Sequence, residues 1–267
     1  MSGKLRKIFA DGKKKLVGFA SAGCPTVGES LEFMDAMLKG GVDILEIGVP
    51  FSDPMADGPT IQASSQKALA SGTTVSDVLK ICKKLSDKYP EKGFVLFSYY
   101  NLIFHMGPDK FARAAKASGA DGILVVDVPL EERKEIKPFF DKYGLDLIPL
   151  VSPATPKARA KEILKGIGGF VYYIIFKGVT GTRTELPKDL KAKVAELKKT
   201  GSLPVAAGFG VSDAAMAKKV AAISDGVVIG SAFVKIQLDE TLSMTEKRAK
   251  ALAFAKACKE SLSFAKP

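Results

Sequence analysis

Two carboxylates, Glu46 and Asp57, are the residues of this sequence whose types and spacing most clearly suggest chemistry. Glu46 interrupts the apolar run Ile44-Leu45-Glu46-Ile47-Gly48-Val49. Asp57 lies eleven residues on, in the loop Pro50-Phe51-Ser52-Asp53-Pro54-Met55-Ala56-Asp57-Gly58-Pro59. The run reads as a buried strand. A carboxylate buried there without a partner is costly unless it holds its proton. Glu46 is therefore either paired or kept as a proton-transfer group with a raised pKa. The turn-rich segment around Asp57 can fold back over the strand end, and two carboxylates in unlike environments form an acid/base pair. A plainer arrangement also fits these residues: a strand with an edge-facing Glu, followed by an Asp-Gly turn.

The elements that would position this pair alternate along the whole chain. Near-continuous apolar runs predict strands at Leu16–Ala22, Val42–Val49, Phe94–Tyr99, Gly122–Asp127, Leu145–Val151, Phe170–Phe176, Leu203–Ala207 and Gly226–Ile229. Such runs suit strands covered on both faces. Helical spacing separates them at Val27–Lys39, Asp109–Ser118, Glu131–Tyr143, Pro156–Lys165, Lys188–Lys199 and Ser212–Ala222, and several of these stretches are followed by a stop glycine. Two helices, Ile61–Ala70 and Val75–Lys88, fill the second strand-to-helix connection, and further helices are expected at Leu5–Gly12 and Thr245–Leu262. Strict alternation of eight strands predicts a closed (βα)8 barrel in one domain, residues 1–267, with additional N-terminal, loop and C-terminal helices.

In such a barrel the chemistry sits at the carboxyl ends of the strands. Glycine-rich segments fall there: Gly178-Val179-Thr180-Gly181, Gly208-Phe209-Gly210 and Gly230-Ser231. Glycine allows close backbone approach, and free N–H groups at a helix start favour an anion. A phosphate site built after strands seven and eight follows, although tight βα turns alone would also use glycine.

Composition narrows the function classes. With 46% hydrophobic and 26% charged residues the chain matches an ordinary globular protein, and no apolar run approaches a membrane span. Residues 1–15 are basic and polar and lack a signal-peptide core. Cys24, Cys82 and Cys258 are odd in number and widely spaced, which predicts a reducing compartment, the cytoplasm, and no structural zinc. The net charge of +11 raises the question of nucleic acid, but the lysines are dispersed along helical segments and only Lys13-Lys14-Lys15 clusters. A solvated surface is the better reading, with neither nucleic acid nor membrane as a partner. A single histidine, His105, leaves Ser-His-Asp and histidine-rich metal chemistry without support. Asp127, at a strand end before Val128-Pro129, suits a functional carboxylate or a turn initiator, and Lys177 reads as a solvated loop lysine.

The segment from Glu46 to Gln62, Glu-Ile-Gly-Val-Pro-Phe-Ser-Asp-Pro-Met-Ala-Asp-Gly-Pro-Thr-Ile-Gln, resembles the signature of the tryptophan synthase α subunit family. Further matches run in order through nearly the whole chain: Phe19, Gly23 to Pro25, Tyr100-Asn101, Asp127-Val128-Pro129, Gly178 to Gly181, Gly208 to Ser212 and Gly230-Ser231-Ala232. The resemblance implies retro-aldol cleavage of indole-3-glycerol phosphate to indole and glyceraldehyde 3-phosphate. It assigns proton shuttling to Glu46 and stabilisation of the indole N–H to Asp57. Tyr172 would support the glutamate, and Thr180 would meet Asp57 on loop closure. Phe19 and Phe209 would enclose the indole, with Leu124, Val126 and Ile229 as barrel-lining residues. Gly181, Gly210, Gly230 and Ser231 would hold the phosphate. A β subunit carrying pyridoxal phosphate would take up the indole in an α2β2 assembly, with Pro50 and Asp53 on the contact loop and no cofactor in this chain. The alternatives are a stand-alone lyase releasing free indole and a catalytically quiet activator of a β subunit. The sequence departs from the family pattern at Cys24, at Leu102 and across Tyr173-Ile174-Ile175-Phe176-Lys177.

Overall fold

The computed structural model describes residues 3–175, 186–208 and 210–265. Its strands are β1 (Lys15–Ser21), β2 (Ile44–Gly48), β3 (Gly93–Ser98), β4 (Gly122–Val125), β5 (Asp146–Leu147), β6 (Leu150–Val151), β7 (Val171–Ile174), β8 (Val205–Gly208) and β9 (Gly226–Ile229). All neighbours are parallel, in the order β5-β4-β3-β2-β1-β9-β8-β7-β6. The two end strands, β5 and β6, are halves of one run separated only by Ile148 and Pro149. Ile148 N–H donates to the Ile123 carbonyl at 2.9 Å and the Pro149 carbonyl accepts from Tyr172 N–H at 2.9 Å. The run is thereby tied to both neighbours, and the sheet closes on itself. Pro149 has no N–H to add to a ladder, which is why the fifth predicted strand, Leu145–Val151, appears as two short pieces. The (βα)8 barrel read from the sequence is borne out.

Parity divides the strand residues between two layers. Val17, Ile44, Val95, Leu124, Tyr172, Ala206 and Val228 form the inner cluster, with Leu5 of the helix Lys4–Ile8 packed against it and Phe97 and Val126 partly buried at its edge. Their neighbours Leu16, Leu45, Phe94, Ile123, Val171 and Val227 pack outward under the helices. Ile229 belongs to this outer layer, so its expected place in the barrel lining is corrected: Val228, one residue earlier, points inward. Leu124 and Val126 do face inward.

The helices follow the predicted pattern with local changes. The stretch Glu131–Tyr143 is split into a 3-10 turn, Leu130–Glu135, and a helix, Lys137–Lys142, because Pro138 sits in the first turn of the second piece, where its missing N–H is tolerated. Two short helices were not expected: Tyr100–Met106, and Ser231–Leu238 directly after β9. Capping boxes at Thr74/Asp77 and Ser243/Glu246 start the helices Val75–Lys88 and Met244–Ser263. Among the described residues no helix is long and apolar enough to cross a membrane.

Candidate active site

The register of β1 on β2 sets Phe19 opposite Glu46. Ile44 points into the barrel, so by alternation Glu46 and Gly48 do too. Gly48 makes room for the Phe19 ring: a Cβ there would lie 2.5 Å from Phe19 Cζ. Glu46 is 1% exposed, and its Oε1 has no hydrogen-bond partner. Burial, with no compensating charge, pushes its pKa up to about 8. At pH 7 Glu46 is therefore held mostly protonated. This is the desolvated acid that a carboxylate inside an apolar strand implied.

Asp57 is delivered by the loop after β2. Two tight turns shape that loop, with Met55 N–H donating to the Asp53 carbonyl at 2.8 Å and Asp57 N–H to the Pro54 carbonyl at 2.9 Å. Gln62 Nε2, in the helix Pro59–Ala70, holds the Asp57 carbonyl at 2.8 Å. Tyr99, at the end of β3, donates its hydroxyl to Asp57 Oδ2 at 3.0 Å and accepts from Ala56 N–H at 3.1 Å, while its ring stacks on Phe51. Burial raises the Asp57 pKa to about 6, with the Tyr99 hydrogen bond acting in the opposite direction. Asp57 is therefore mostly an anion at pH 7 while Glu46 is mostly an acid. Tyr172 on β7 lies close enough to feel both: burial first, then the charges of Glu46 and Asp57, hold its phenol well above the ordinary value and keep it protonated.

The opposite wall is made by the ends of β8 and β9. Gly210 has φ +83°, a conformation that favours glycine. Gly230 precedes the helix Ser231–Leu238, whose first N–H groups and dipole suit an anion. Gly210, Gly230 and Ser231 line the same cavity as Phe19, Glu46, Asp57 and Tyr172. The structure thus gathers seven of the residues singled out in the sequence around one cavity. Thr180, Gly181 and Phe209, and Lys177 with them, lie outside the described residues. Pro50 and Asp53 do not line the cavity. Pro50 is buried at the start of the loop, and Asp53 is exposed, accepting from the Ser52 hydroxyl.

The sequence did not single out Tyr99, Ile61, Phe97 or Val211 as site residues, yet Ile61, Phe97 and Val211 line the cavity. Phe97 was findable, because it is two residues beyond the inward Val95 on the same strand. Tyr99 carried no local signal; its role comes from the loop that folds across it. Asp127 Oδ1 accepts from Tyr100 N–H at 2.8 Å, tying the end of β4 to the start of the helix Tyr100–Met106 rather than initiating its own turn, and His105 is exposed on that short helix. Among the described residues no group of three or more His, Cys, Asp or Glu side chains could hold a metal ion.

The family model described as tryptophan synthase alpha chain matches residues 5–263. The tryptophan synthase alpha chain of Geobacter sulfurreducens is 39% identical over 262 residues, covering 98% of each chain. That of Caldanaerobacter subterraneus subsp. tengcongensis is 44% identical over 225 residues, 84% of this chain and 85% of the relative. The crystal structure of the tryptophan synthase alpha subunit from Legionella pneumophila superposes with a TM-score of 0.89 at 32% identity, covering 98% of this chain and 99% of that one. A chain of the Mycobacterium tuberculosis tryptophan synthase in its aminoacrylate-bound form gives a TM-score of 0.86 at 29% identity, covering 98% and 100%. A matched model over nearly the whole sequence, and relatives of this identity along its length, make this chain a member of the tryptophan synthase alpha chain family.

Proposed function

We propose that Glu46 and Asp57 carry out the reaction of this family here, the cleavage of indole-3-glycerol phosphate to indole and glyceraldehyde 3-phosphate. The family's activity and its partnership with a β subunit come with membership; the assignment of residues is our reading. Glu46, protonated at neutral pH, delivers its proton to the indole C3. The positive charge that then builds on the ring nitrogen faces Asp57, which is ionised and held in place by Tyr99. The Glu46 carboxylate takes the proton of the side-chain hydroxyl as the carbon–carbon bond breaks, leaving indole, the aldehyde product and Glu46 protonated again. One group thus acts as acid and then as base, and the other stabilises a transient cation.

Phe19, with Phe97 and Ile61 around it, and Phe209 enclose the indole. Backbone N–H groups of Gly181, Gly210 and Gly230 and the Ser231 hydroxyl hold the phosphate. Tyr172 supports Glu46 as an uncharged phenol, and Thr180 meets Asp57 when substrate is bound. Pro50 and Asp53 sit on the loop that addresses the β subunit, in an α2β2 assembly. Pyridoxal phosphate belongs to that subunit, and this chain works without a cofactor; none of the described residues lining the reaction cavity is a lysine that could form an imine. The protein acts in the cytoplasm as a single barrel domain.

The observation that carries this reading is the buried, unpartnered Oε1 of Glu46 facing the same cavity as Asp57 and the Gly230–Ser231 helix start. The test is indole release by Glu46→Gln. A folded variant with turnover lowered at least about a thousandfold is expected for loss of the proton carrier; near-normal turnover sinks the assignment.

A further inference from the structure

Beside the barrel mouth lies a second cavity, which shares no lining residue with the one around Glu46. It opens between the segment after β4, including the turn Leu130–Glu135, and the helix Lys157–Leu164. Most of its wall is apolar, with Val128, Leu147, Leu150 and Ile163 among the lining side chains. Its charged groups are Asp127, Arg133 and Arg159. Asp127 already accepts from Tyr100 N–H. Arg159 is held by Glu131 in a two-point pair, with Nη2 at 2.8 Å from Oε2. Arg133 is different: Nη1 donates to the Ile163 carbonyl at 2.6 Å, and among the described residues it makes no ion pair. It is half-buried beside the like-charged Arg159, and burial and that neighbour push its pKa down while Glu131 acts in the opposite direction. Glu131 is near enough to act on this guanidinium but is spent on Arg159, so no carboxylate touches Arg133, and its remaining N–H donors match one in two-point geometry.

We propose that this cavity binds a small aromatic carboxylate, with the carboxylate on Arg133 and the ring against Leu147, Leu150 and Ile163. The apolar wall favours an organic body over a bare inorganic anion, which would leave that surface wet. Arg159, already neutralised by Glu131, leaves Arg133 as the group that meets the carboxylate. The site is independent of the reaction assigned to Glu46.

The test is titration of the full-length chain with 2-naphthoate, followed by calorimetry and by amide NMR shifts. One-to-one binding is expected, with shifts centred on residues 126–133 and 147–163 and not on Phe19, Gly48 or Gly230. Arg133→Met should weaken it at least about tenfold, the loss expected for a charge-assisted pair. The neutral 2-naphthamide should bind the unaltered protein about tenfold less tightly on the same grounds, which keeps the test decisive if Arg133→Met folds poorly. Absence of binding, equal binding of acid and amide, or shifts confined to the Glu46 cavity would overturn the proposal.

Discussion

Replacing Glu46 by Gln is expected to abolish turnover while stabilising the protein at alkaline pH. An ordinary glutamate ionises near 4.5, whereas burial holds Glu46 protonated up to about 8. Between those values the unfolded chain is ionised and the folded chain is not. The folded state then binds the extra proton, so stability falls as pH rises through this window and levels off above it. At 1.36 kcal/mol per pH unit the complete cost is about 5 kcal/mol, a ceiling that any water drawn to the carboxylate would lower. The amide introduced by Glu46→Gln keeps nearly the shape of the protonated acid and never ionises. Asp57 has the same sign of effect between 3.8 and about 6, but both proteins carry it and it cancels in the comparison. Thermal melts of the two proteins at pH 5 and pH 9, at fixed ionic strength, read the difference. Near-equal Tm values are expected at pH 5, and at pH 9 the variant should melt roughly 10 °C higher. A Tm difference that is the same at both pH values would refute the claim that Glu46 is a desolvated, unpaired acid.

The same protonation states predict a bell-shaped pH dependence of kcat/KM with an optimum near 7, its acid limb set by Asp57 near 6 and its basic limb by Glu46 near 8. In Tyr99→Phe, loss of the hydrogen bond that holds the Asp57 pKa down should move the acid limb to higher pH and leave the basic limb in place; an unmoved acid limb would detach Tyr99 from Asp57. Asp57→Asn should fold and lose about a hundredfold or more in kcat, the size of effect seen when one charge-stabilising group is removed. Gly48→Ala would set a methyl group 2.5 Å from Phe19 Cζ and force the ring into the cavity, so KM should rise, with an overpacking cost of about 1–3 kcal/mol in an unfolding titration.

Much of this organisation was legible in the sequence, for identifiable reasons. Strands covered on both faces are apolar throughout, so the eight runs stood out, and a charged residue inside one of them, Glu46, stood out further. Parity along a continuous apolar run is invisible until one residue is anchored, and Ile229 was consequently put on the wrong face while Phe97 was not singled out. Proline chemistry explains the divided fifth strand at Pro149 and the divided helix at Pro138. The helix Ser231–Leu238 escaped notice because its start is the glycine turn itself, with no Ser, Thr, Asp or Asn cap before it. Tyr99 could not be found locally, since its hydroxyl acts on a residue forty-two positions away. Arg133 carried no local signal either, since its place beside Arg159 over a largely apolar cavity is set by the fold.

The central claim is tested most directly by indole release from indole-3-glycerol phosphate by the purified chain, with and without a tryptophan synthase β subunit. Slow release alone, a large rise on adding the β subunit, and loss of both in Glu46→Gln is the predicted result. Release by Glu46→Gln at the rate of the unaltered protein, or silence of the unaltered protein in both conditions, would contradict it.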